Sequence, residues 1–564
     1  MTVLSAVGFY LFFALIYPYH LHFQEQYQLF ESTWDYFQSV ASLPGGLADW
    51  MGRWVTQFFY YAPVGAVMMA VLLCGVQLVT WSASSQRTLL PYALSFIPSA
   101  LLLAFFCDEN ALVGSVWALI LSLGAAALCQ AVKKERPRHV LEVTLVPVLY
   151  MACGGLAVVF VLVSALREGL KNWTWELAML LLLVLCVLLA RYLFPYPLER
   201  LSFGVHYYRY HNLVPFLLWL AALTTVLPAA VSLLRLKELK AWLGIVAYVV
   251  VAAAGAGLTF NAADTAKEEW MRYDFMVRMQ MWNRILQYAD SHAPTSPKAV
   301  SCLNLALAKT GRLSDYQFSY FQNGPEGLLP VFVRDHTNPV STGEIYWHLG
   351  MVNTAQRFAF EAQEAIPDFQ KGARFYQRLA QTNIVNGDWE VARKYLKALQ
   401  HARFYRGWAN ETLSLMASGE IFERRPELAQ ARDLRLKEHD FLFSDDEKDS
   451  MLGLLKVENP ENTLALEYLM AWCLLRKDLD RFVECIGMVD EPMMPKSYQE
   501  ALLLRWVQTH QDFEGLPAFL APAYARRING FIADMKAGKS EEKMRKDYSD
   551  TYWFYYYFRY RNAE

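Results

Sequence analysis

The first 261 residues contain eight apolar runs, each near the length that an α-helix needs to cross a lipid bilayer. Water-soluble proteins do not bury so many such runs in succession, so the pattern predicts a transmembrane bundle of about eight helices. The runs lie at Val3–Tyr19, Phe58–Trp81, Leu90–Cys107, Ala111–Val132, Val140–Leu166, Thr174–Phe194, Asn212–Leu234 and Leu239–Phe260.

Charge divides the chain at the same place. Residues 1–261 carry 14 Lys and Arg with 12 Asp and Glu, whereas residues 262–564 carry 38 and 42. Charge is this scarce in lipid-facing segments because a charged side chain at mid-bilayer costs several kcal/mol. Neither part has the basic excess that nucleic-acid binding requires. The eight cysteines are scattered singly, without metal-ligand spacing, so we expect no metal and no cofactor.

The orientation of the predicted bundle depends on its basic loops. Lys133–Arg138 is the most basic short connection and should face the cytoplasm. Eight spans then place the N-terminus inside, the long first loop 20–57 outside, and residues 262–564 in the cytoplasm. The basic connection Arg235–Lys240 contradicts this order, since it would face outward. One span missed in the count would export the C-terminal part, so its side of the membrane stays open.

Two loops of this half carry candidate functional residues. The first loop, 20–57, is rich in aromatic side chains that favour the headgroup level, and Leu43–Gly46 divides it into two amphipathic segments. Glu25 stands just beyond the first span, at the membrane boundary. The second loop, Phe194–His211, contains Arg200 and Arg209 among tyrosines. These arginines either clamp a phosphate or extend to the interface, as arginine commonly does at span ends.

Residues 262–564 have the 3.6-residue apolar period of amphipathic helices, with short polar turns. The clearest unit is Phe375–Gln400, where two apolar helix faces flank a turn at Gly387-Asp388. Small residues Ala380 and Ala392 would let these helices pack closely. This spacing is typical of a tetratricopeptide unit and predicts a soluble α-helical repeat domain. The aromatic segment Tyr548–Tyr560 should either cap the last repeat or dock on the membrane half.

Four segments carry a resemblance to a family. Phe23–Phe30, Pro44–Ala48, Gln57–Tyr61 and Asn304–Gly311 look like those of an uncharacterised bacterial multi-pass transmembrane family with a C-terminal tetratricopeptide-like domain. The resemblance covers both halves of the chain. It implies an all-α architecture, with 1–261 as the membrane bundle and 262–564 as the helical-repeat domain, in the bacterial cytoplasmic (inner) membrane.

A more distant resemblance concerns the order of elements around Glu25. A first span, a carboxylate soon after it, a long amphipathic outer loop and a C-terminal domain are together similar to membrane glycosyltransferases of the GT-C fold. That resemblance implies a polyprenyl-phosphate-linked sugar as substrate and Glu25 as the general base on the acceptor hydroxyl. Asp35, Asp49 or the pair Asp108-Glu109 would supply a second acid. Arg200 and Arg209 would bind the diphosphate if their loop faces outward.

Two functions therefore remain open. The first is a non-enzymatic scaffold, anchored in the lipid bilayer, whose repeats bind a protein partner. The second is a GT-C-like glycosyl- or glycophospho-transferase at the outer face. The side of the helical domain distinguishes them, since an enzyme needs that domain beside Glu25 and a scaffold does not. A catalytic Glu25 should also line a groove that opens to lipid.

Overall fold

The structure is a computed structural model that describes residues 1–84, 88–168, 173–209, 215–233, 241–333, 335, 337–367, 370–436, 447–489, 494–510 and 515–559. Within these ranges the regular structure is helical and no strand occurs; Ala111 and Tyr208 form an isolated β-bridge. The prediction of an all-α chain is confirmed. Arg235–Lys240 and His211 lie outside the described residues.

The chain forms two compact units. Unit 1 comprises Met1–Glu268 and two later segments, Ile366–Arg374 and Lys397–Glu411. Unit 2 comprises Glu269–Ala365, Phe375–Leu396 and Thr412–Glu564. The polypeptide therefore passes from one unit to the other five times, whereas the sequence predicted a single boundary near residue 262.

The α-helices of unit 1 include all eight predicted apolar runs. Their bounds are Thr2–Leu11, Pro18–Gln26, Trp34–Ala41, Gly46–Thr56, Ala62–Ser82, Leu89–Leu94, Phe96–Phe105, Gly114–Cys129, Glu135–Cys153, Val158–Glu168, Trp173–Leu193, Leu198–Phe203, Phe216–Thr224, Leu227–Leu233 and Ala241–Ala262. Many of these helices share one hydrophobic core, in which Phe13, Leu73 and Phe160 are fully enclosed, and Ala93, Phe96 and Tyr248 form a second, smaller cluster.

Fewer helices than predicted are long and apolar enough to span a membrane. Four described helices pass this test, namely Ala62–Ser82, Glu135–Arg167, Trp173–Leu193 and Trp242–Ala262, and a fifth is possible if the first run counts as one bent span. That run bends by 76° between Ile16 and Pro18. Three other runs are shorter helices, at Leu89–Phe105, Gly114–Cys129 and Phe216–Ser232. Prolines explain part of the shortening, because Pro18 opens a helix and Pro98 lies in the first turn of another.

The long stretch Glu135–Arg167 reverses its direction at Gly154. Gly154 has φ +56° and ψ −145°, a backbone conformation that L side chains rarely adopt and that cannot continue a helix. The helix before it, Glu135–Cys153, runs parallel to the helix Trp173–Leu193. His139 and Trp175, near the two helix starts, are in ring contact at 5.5 Å.

At the far ends of the same two helices, the Tyr150 hydroxyl donates to the Leu201 carbonyl, 3.0 Å away and shortly after Leu193. Since the two helices are parallel, the intervening helix Val158–Glu168 must carry the chain back. Gly155 allows the helix Leu198–Phe203 to approach the reversal closely, because a Cβ at position 155 would lie 1.6 Å from the Ser202 carbonyl oxygen.

The first loop forms the two predicted helices, Trp34–Ala41 and Gly46–Thr56. The second of them is not a surface helix, because it packs against Gly114–Cys129 inside unit 1. A Cβ on Gly52 would meet the Gly114 backbone nitrogen at 2.3 Å. The second half of the loop is therefore packed into the helix bundle, and its depth relative to the lipid headgroups stays a prediction.

The regular structure described in unit 2 is helical. Its helices, some shared with unit 1 at their ends, are Thr265–Arg278, Trp282–Ser291, Pro297–Lys309, Leu313–Tyr316, Asn338–His348, Val352–Glu364, Ala373–Asn386, Trp389–Gln400, Arg406–Ser418, Ile421–Arg424, Pro426–Leu434, Lys448–Glu458, Thr463–Leu475, Leu479–Cys485, Lys496–Thr509, Pro522–Lys536, Glu541–Tyr548 and Tyr552–Phe558. The predicted hairpin around Gly387 forms, with φ +86° at that glycine and Tyr376 against Tyr395 at 5.1 Å.

The C-terminal aromatic segment lies within unit 2. Tyr552 and Trp553 are fully buried. The indole of Trp553 donates to the Glu500 carbonyl (2.7 Å), and the Tyr555 hydroxyl donates to the Leu475 carbonyl (2.7 Å). The segment thus covers helices of its own unit, as the capping interpretation expected.

Candidate functional site

Glu25 is enclosed in unit 1. It lies in the last turn of helix Pro18–Gln26 and is 3% exposed. The hydroxyl of Tyr405 donates to its carboxylate, with distances of 2.8 and 3.0 Å to the two oxygens. Glu25 does not line either of the two cavities described below.

Further polar contacts surround this pair. Arg374 donates to the Gln26 side chain (2.8 Å), and Lys371 forms an ion pair with Glu31. We call these six side chains, Glu25, Gln26, Glu31, Lys371, Arg374 and Tyr405, the polar junction. Hydrogen bonds to or from ionised groups are the stronger ones in proteins, so the polar junction ties both late segments of unit 1 to the first loop.

Backbone and aromatic contacts reinforce the polar junction. The amide of Leu29 donates to the Lys371 carbonyl at 2.7 Å, and the amide of Ser32 donates to the His401 carbonyl at 3.0 Å. The ring of Phe404 stacks on Tyr60, with centroids 5.2 Å apart. Residues more than 300 positions apart in the sequence are thus held together by main chain, charge and ring contacts.

A cavity of about 650 Å³ opens elsewhere in unit 1, where three apolar helices end. Its apolar wall includes Phe105, Phe216 and Leu217, and its polar wall comprises Asp108, Glu109, Asn110, Tyr208, Asp264 and Lys267. This volume is within the range of small-molecule sites.

Two of the predicted acids belong to this cavity and are held in place. Asp108 accepts from the Tyr208 hydroxyl (2.6 Å) and from the Asn110 side-chain amide (3.0 Å). Glu109 pairs with Lys267 at 2.8 Å. Burial alone would raise the pKa of the Glu109 carboxyl, but the hydrogen bond and charge of Lys267 outweigh burial and lower that pKa. Glu109 therefore carries its charge at neutral pH.

The other predicted residues lie apart from this cavity. Asp35 is exposed in the first turn of helix Trp34–Ala41. Arg200 donates to the Val205 carbonyl at 2.6 Å, and Arg209 lies 4.4 Å over the Tyr27 ring. Arg209 also lines a small second cavity of about 10 Å³, which has room for one water. The structure brings Asp108 and Glu109 together but does not assemble the two arginines into a phosphate clamp with them.

Several residues of these sites were not singled out from the sequence. Lys267 follows the last apolar run closely, and Asn110 adjoins the predicted acidic pair, so proximity was a usable signal for both. Tyr405 is 380 positions from Glu25 in the sequence, and a single tyrosine in a helical region does not by itself indicate a functional site. Among the described residues, no group of three or more His, Cys, Asp or Glu side chains is arranged to hold a metal ion.

Comparison with known proteins identifies a family. Residues 1–559 match the model of a family of unknown function, DUF6057, and the chain belongs to that family. The predicted membership of an uncharacterised family is therefore confirmed. No curated protein matches the chain, and no solved structure matches it.

Proposed function

We propose that this member of the DUF6057 family is a multi-pass protein of the bacterial cytoplasmic membrane that serves as a scaffold for a protein partner. Residues 1–261 would form its membrane part, and 262–564 a tetratricopeptide-like binding part. The polar junction is the observation that carries the proposal, because it uses Glu25 to hold segments from the second half of the chain. We therefore assign Glu25 a structural role in this proposal.

Polar contacts support two distinct ends of the helix bundle. At the first, which we call the junction end, the Tyr17 hydroxyl donates to the Cys107 carbonyl and accepts from the Asp264 amide, both at 3.1 Å. The Gly45 amide donates to the Met151 carbonyl at 2.9 Å there. At the opposite end, side-chain contacts join Thr2 to Gln77 and Tyr92, Ser5 to Tyr248, and Ser84 to Ser232.

These contacts favour nine crossings of the membrane. Helices of 16 or 17 residues cover about 25 Å, and the 3-10 turn Gly154–Ala157 together with helix Val158–Glu168 covers about the same length, so the shorter apolar helices can also connect the two ends. The reversal at Gly154 turns one predicted span into two. The proposed crossings are Thr2–Ile16, Ala62–Ser82, Leu89–Phe105, Gly114–Cys129, Glu135–Cys153, Val158–Glu168, Trp173–Leu193, Phe216–Ser232 and Ala241–Ala262.

The basic residues support an orientation for these crossings. Among the described Lys and Arg residues before Ala262, only Arg53, Arg191, Arg200 and Arg209 belong to the junction end. The described segments that join helix ends on the opposite side carry Lys133, Lys134, Arg136, Arg138 and Arg167. Basic loops stay in the cytoplasm, so we propose that the junction end faces outward. An odd number of crossings removes the conflict between the two basic loops.

The exposed surface of unit 2 offers a place for the partner. Trp389 is 38% exposed, its ring lies 6.2 Å from Phe422, and the Arg432 guanidinium lies 4.0 Å over Phe422. Tryptophan and arginine dominate the energetics of protein interfaces. This aromatic and arginine cluster is therefore the surface on which we expect a protein partner to bind.

Site-specific photocrosslinking in cells tests the scaffold. A photoreactive residue replaces Trp389 in the full chain, and the same residue at exposed Lys536 is the matched control. We expect one discrete product from position 389, none from position 536, and at least a fivefold loss when Arg432→Glu is added. Equal products from both positions, or none from either, would contradict the proposal.

A GT-C-like transferase that uses a polyprenyl-phosphate-linked sugar remains a second candidate. The carboxyl groups of Asp108 and Glu109 in the cavity favour it, because paired carboxyl groups can act as acid and base, although the third carboxyl group of that wall, Asp264, opposes a phosphate. Under this hypothesis Asp108→Asn and Glu109→Gln abolish a cell-surface glycan that Glu199→Gln, at an exposed carboxyl, leaves unchanged. A glycan that survives both cavity substitutions would remove the transferase from consideration.

A further inference from the structure

The polar wall of the cavity is rich in hydrogen-bond acceptors. Asp108, Glu109 and Asp264 contribute three carboxyl groups, whereas Lys267 contributes one ammonium that already pairs with Glu109. An anionic ligand would meet this excess of negative charge unfavourably. The wall therefore favours a ligand that donates hydrogen bonds and carries positive charge.

Asn110 gives an independent indication of the same kind of ligand. Its side chain is 5% exposed and lies in the cavity wall. Its amide nitrogen donates to Asp108 at 3.0 Å, whereas its Oδ1 atom has no hydrogen-bond partner. Buried polar atoms are nearly always hydrogen-bonded, and each exception calls for an explanation. A donor from a bound molecule would satisfy this oxygen.

The apolar side of the cavity indicates that the ligand is an amphiphile. Phe105 and Leu217 line the cavity beside Phe216, whose side chain is 72% exposed. These residues lie at the ends of apolar helices, where lipid headgroups meet lipid tails in a bilayer. A lipid could therefore place its tail against this wall and its headgroup against the carboxyl groups.

We propose that the cavity binds a membrane lipid through a primary ammonium headgroup, with N–H donors to Asn110 Oδ1 and to the carboxylates of Asp108 and Glu109. A primary ammonium presents three donors, which matches the acceptors of the wall. A quaternary ammonium has the same charge but no N–H group, so the proposal predicts discrimination between these two headgroups. The inference rests on the proposed membrane location and is independent of the scaffold.

Native mass spectrometry of the full chain tests the proposal. The purified protein is released from detergent after equilibration with equal amounts of phosphatidylethanolamine, phosphatidylcholine and phosphatidylglycerol. We expect at least about fivefold greater retention of phosphatidylethanolamine than of phosphatidylcholine. Asn110→Ala and Glu109→Gln should each bring the retention of these two lipids to within about twofold of one another, because each substitution weakens an acceptor that only the primary ammonium can use. Glu199→Gln, at an exposed carboxyl outside the cavity, is the matched control.

The comparison among the lipids separates binding from folding. Asn110→Ala and Glu109→Gln should leave the retention of phosphatidylcholine unchanged, whereas damage to the fold would reduce the retention of all three lipids. Equal retention of the two zwitterionic lipids by the unaltered chain would overturn the proposal. Stabilisation by ethanolamine alone, without a preference among lipids, would overturn the assignment to a lipid. Lipid binding is measured in detergent, so it does not depend on the proposed membrane orientation or on a protein partner. A negative result would therefore contradict the lipid proposal alone.

Discussion

Removing the Tyr405 hydroxyl tests whether the polar junction stabilises the fold. Tyr405→Phe keeps the ring, which is 5% exposed and packs against Tyr60 at 5.6 Å, and deletes only the donor to Glu25. The Glu25 carboxylate stays buried and loses a hydrogen bond of 2.8 Å. The substitution therefore isolates the polar contribution from the packing contribution.

The expected cost follows from the charge of the acceptor. A hydrogen bond to an ionised group contributes about 1.5–3 kcal/mol, because the remaining partner cannot regain water in the folded state. Tyr405→Phe should therefore lower the free energy of unfolding by about 2 kcal/mol, a change of about thirtyfold in the unfolding equilibrium. Tyr61→Phe is the matched control, since Tyr61 is 53% exposed and its hydroxyl should contribute little.

A double-mutant cycle measures this contact directly. The full chain is unfolded by denaturant in detergent, and the sensitivity of Lys397–Glu411 to protease reports the extent of unfolding. The experiment gives the free energy of unfolding of Tyr405→Phe, of Glu25→Gln and of the double variant. The effects should be non-additive, with a coupling energy of about 1 kcal/mol or more. A destabilisation by Tyr405→Phe below about 0.5 kcal/mol, or additive effects, would refute the structural role of Glu25.

Two further predictions concern stability elsewhere in the chain. Burial raises the pKa of Glu500 from 4.5 to about 7, so the folded state holds a proton that the unfolded chain releases. Stability should therefore decrease as the pH rises from about 4.5 through 7, by about 3 kcal/mol, and Glu500→Gln should remove this dependence in denaturant titrations at several pH values. Gly155→Ala should cost more than about 3 kcal/mol, because its Cβ would overlap the Ser202 carbonyl, whereas Gly8→Ala, with open space around it, should be neutral in the same titration.

The apolar runs predicted the helices of unit 1 well, since apolarity and helical length are local properties of the sequence. They did not predict where the helices bend or end. Leu145–Leu166 contains no charged residue, so a reversal inside it leaves no trace in hydropathy. The Gly154-Gly155 pair was its only local sign, and glycine pairs are also frequent in straight membrane helices.

The candidate site was predicted in part. Asp108 and Glu109 were found because acidic residues are rare among apolar runs, and the structure places both in one cavity wall. The role of Glu25 depends on Tyr405, whose proximity arises from the path of the whole chain. No local pattern encodes a contact across 380 positions, which is why the sequence left Glu25 between catalytic and structural interpretations.

The most direct test of the account is the sidedness of the two segments that the polar junction joins. Single cysteines replace Ser39 in the first loop, Gly407 in the late segment and Lys134 in the basic loop, all of them exposed positions. The native cysteines are buried or half-buried and should give little background. An impermeant maleimide applied to cells with an intact cytoplasmic membrane should label Ser39→Cys and Gly407→Cys, and Lys134→Cys only after lysis. Labelling of Ser39→Cys while Gly407→Cys stays protected until lysis would contradict the polar junction and the nine crossings together.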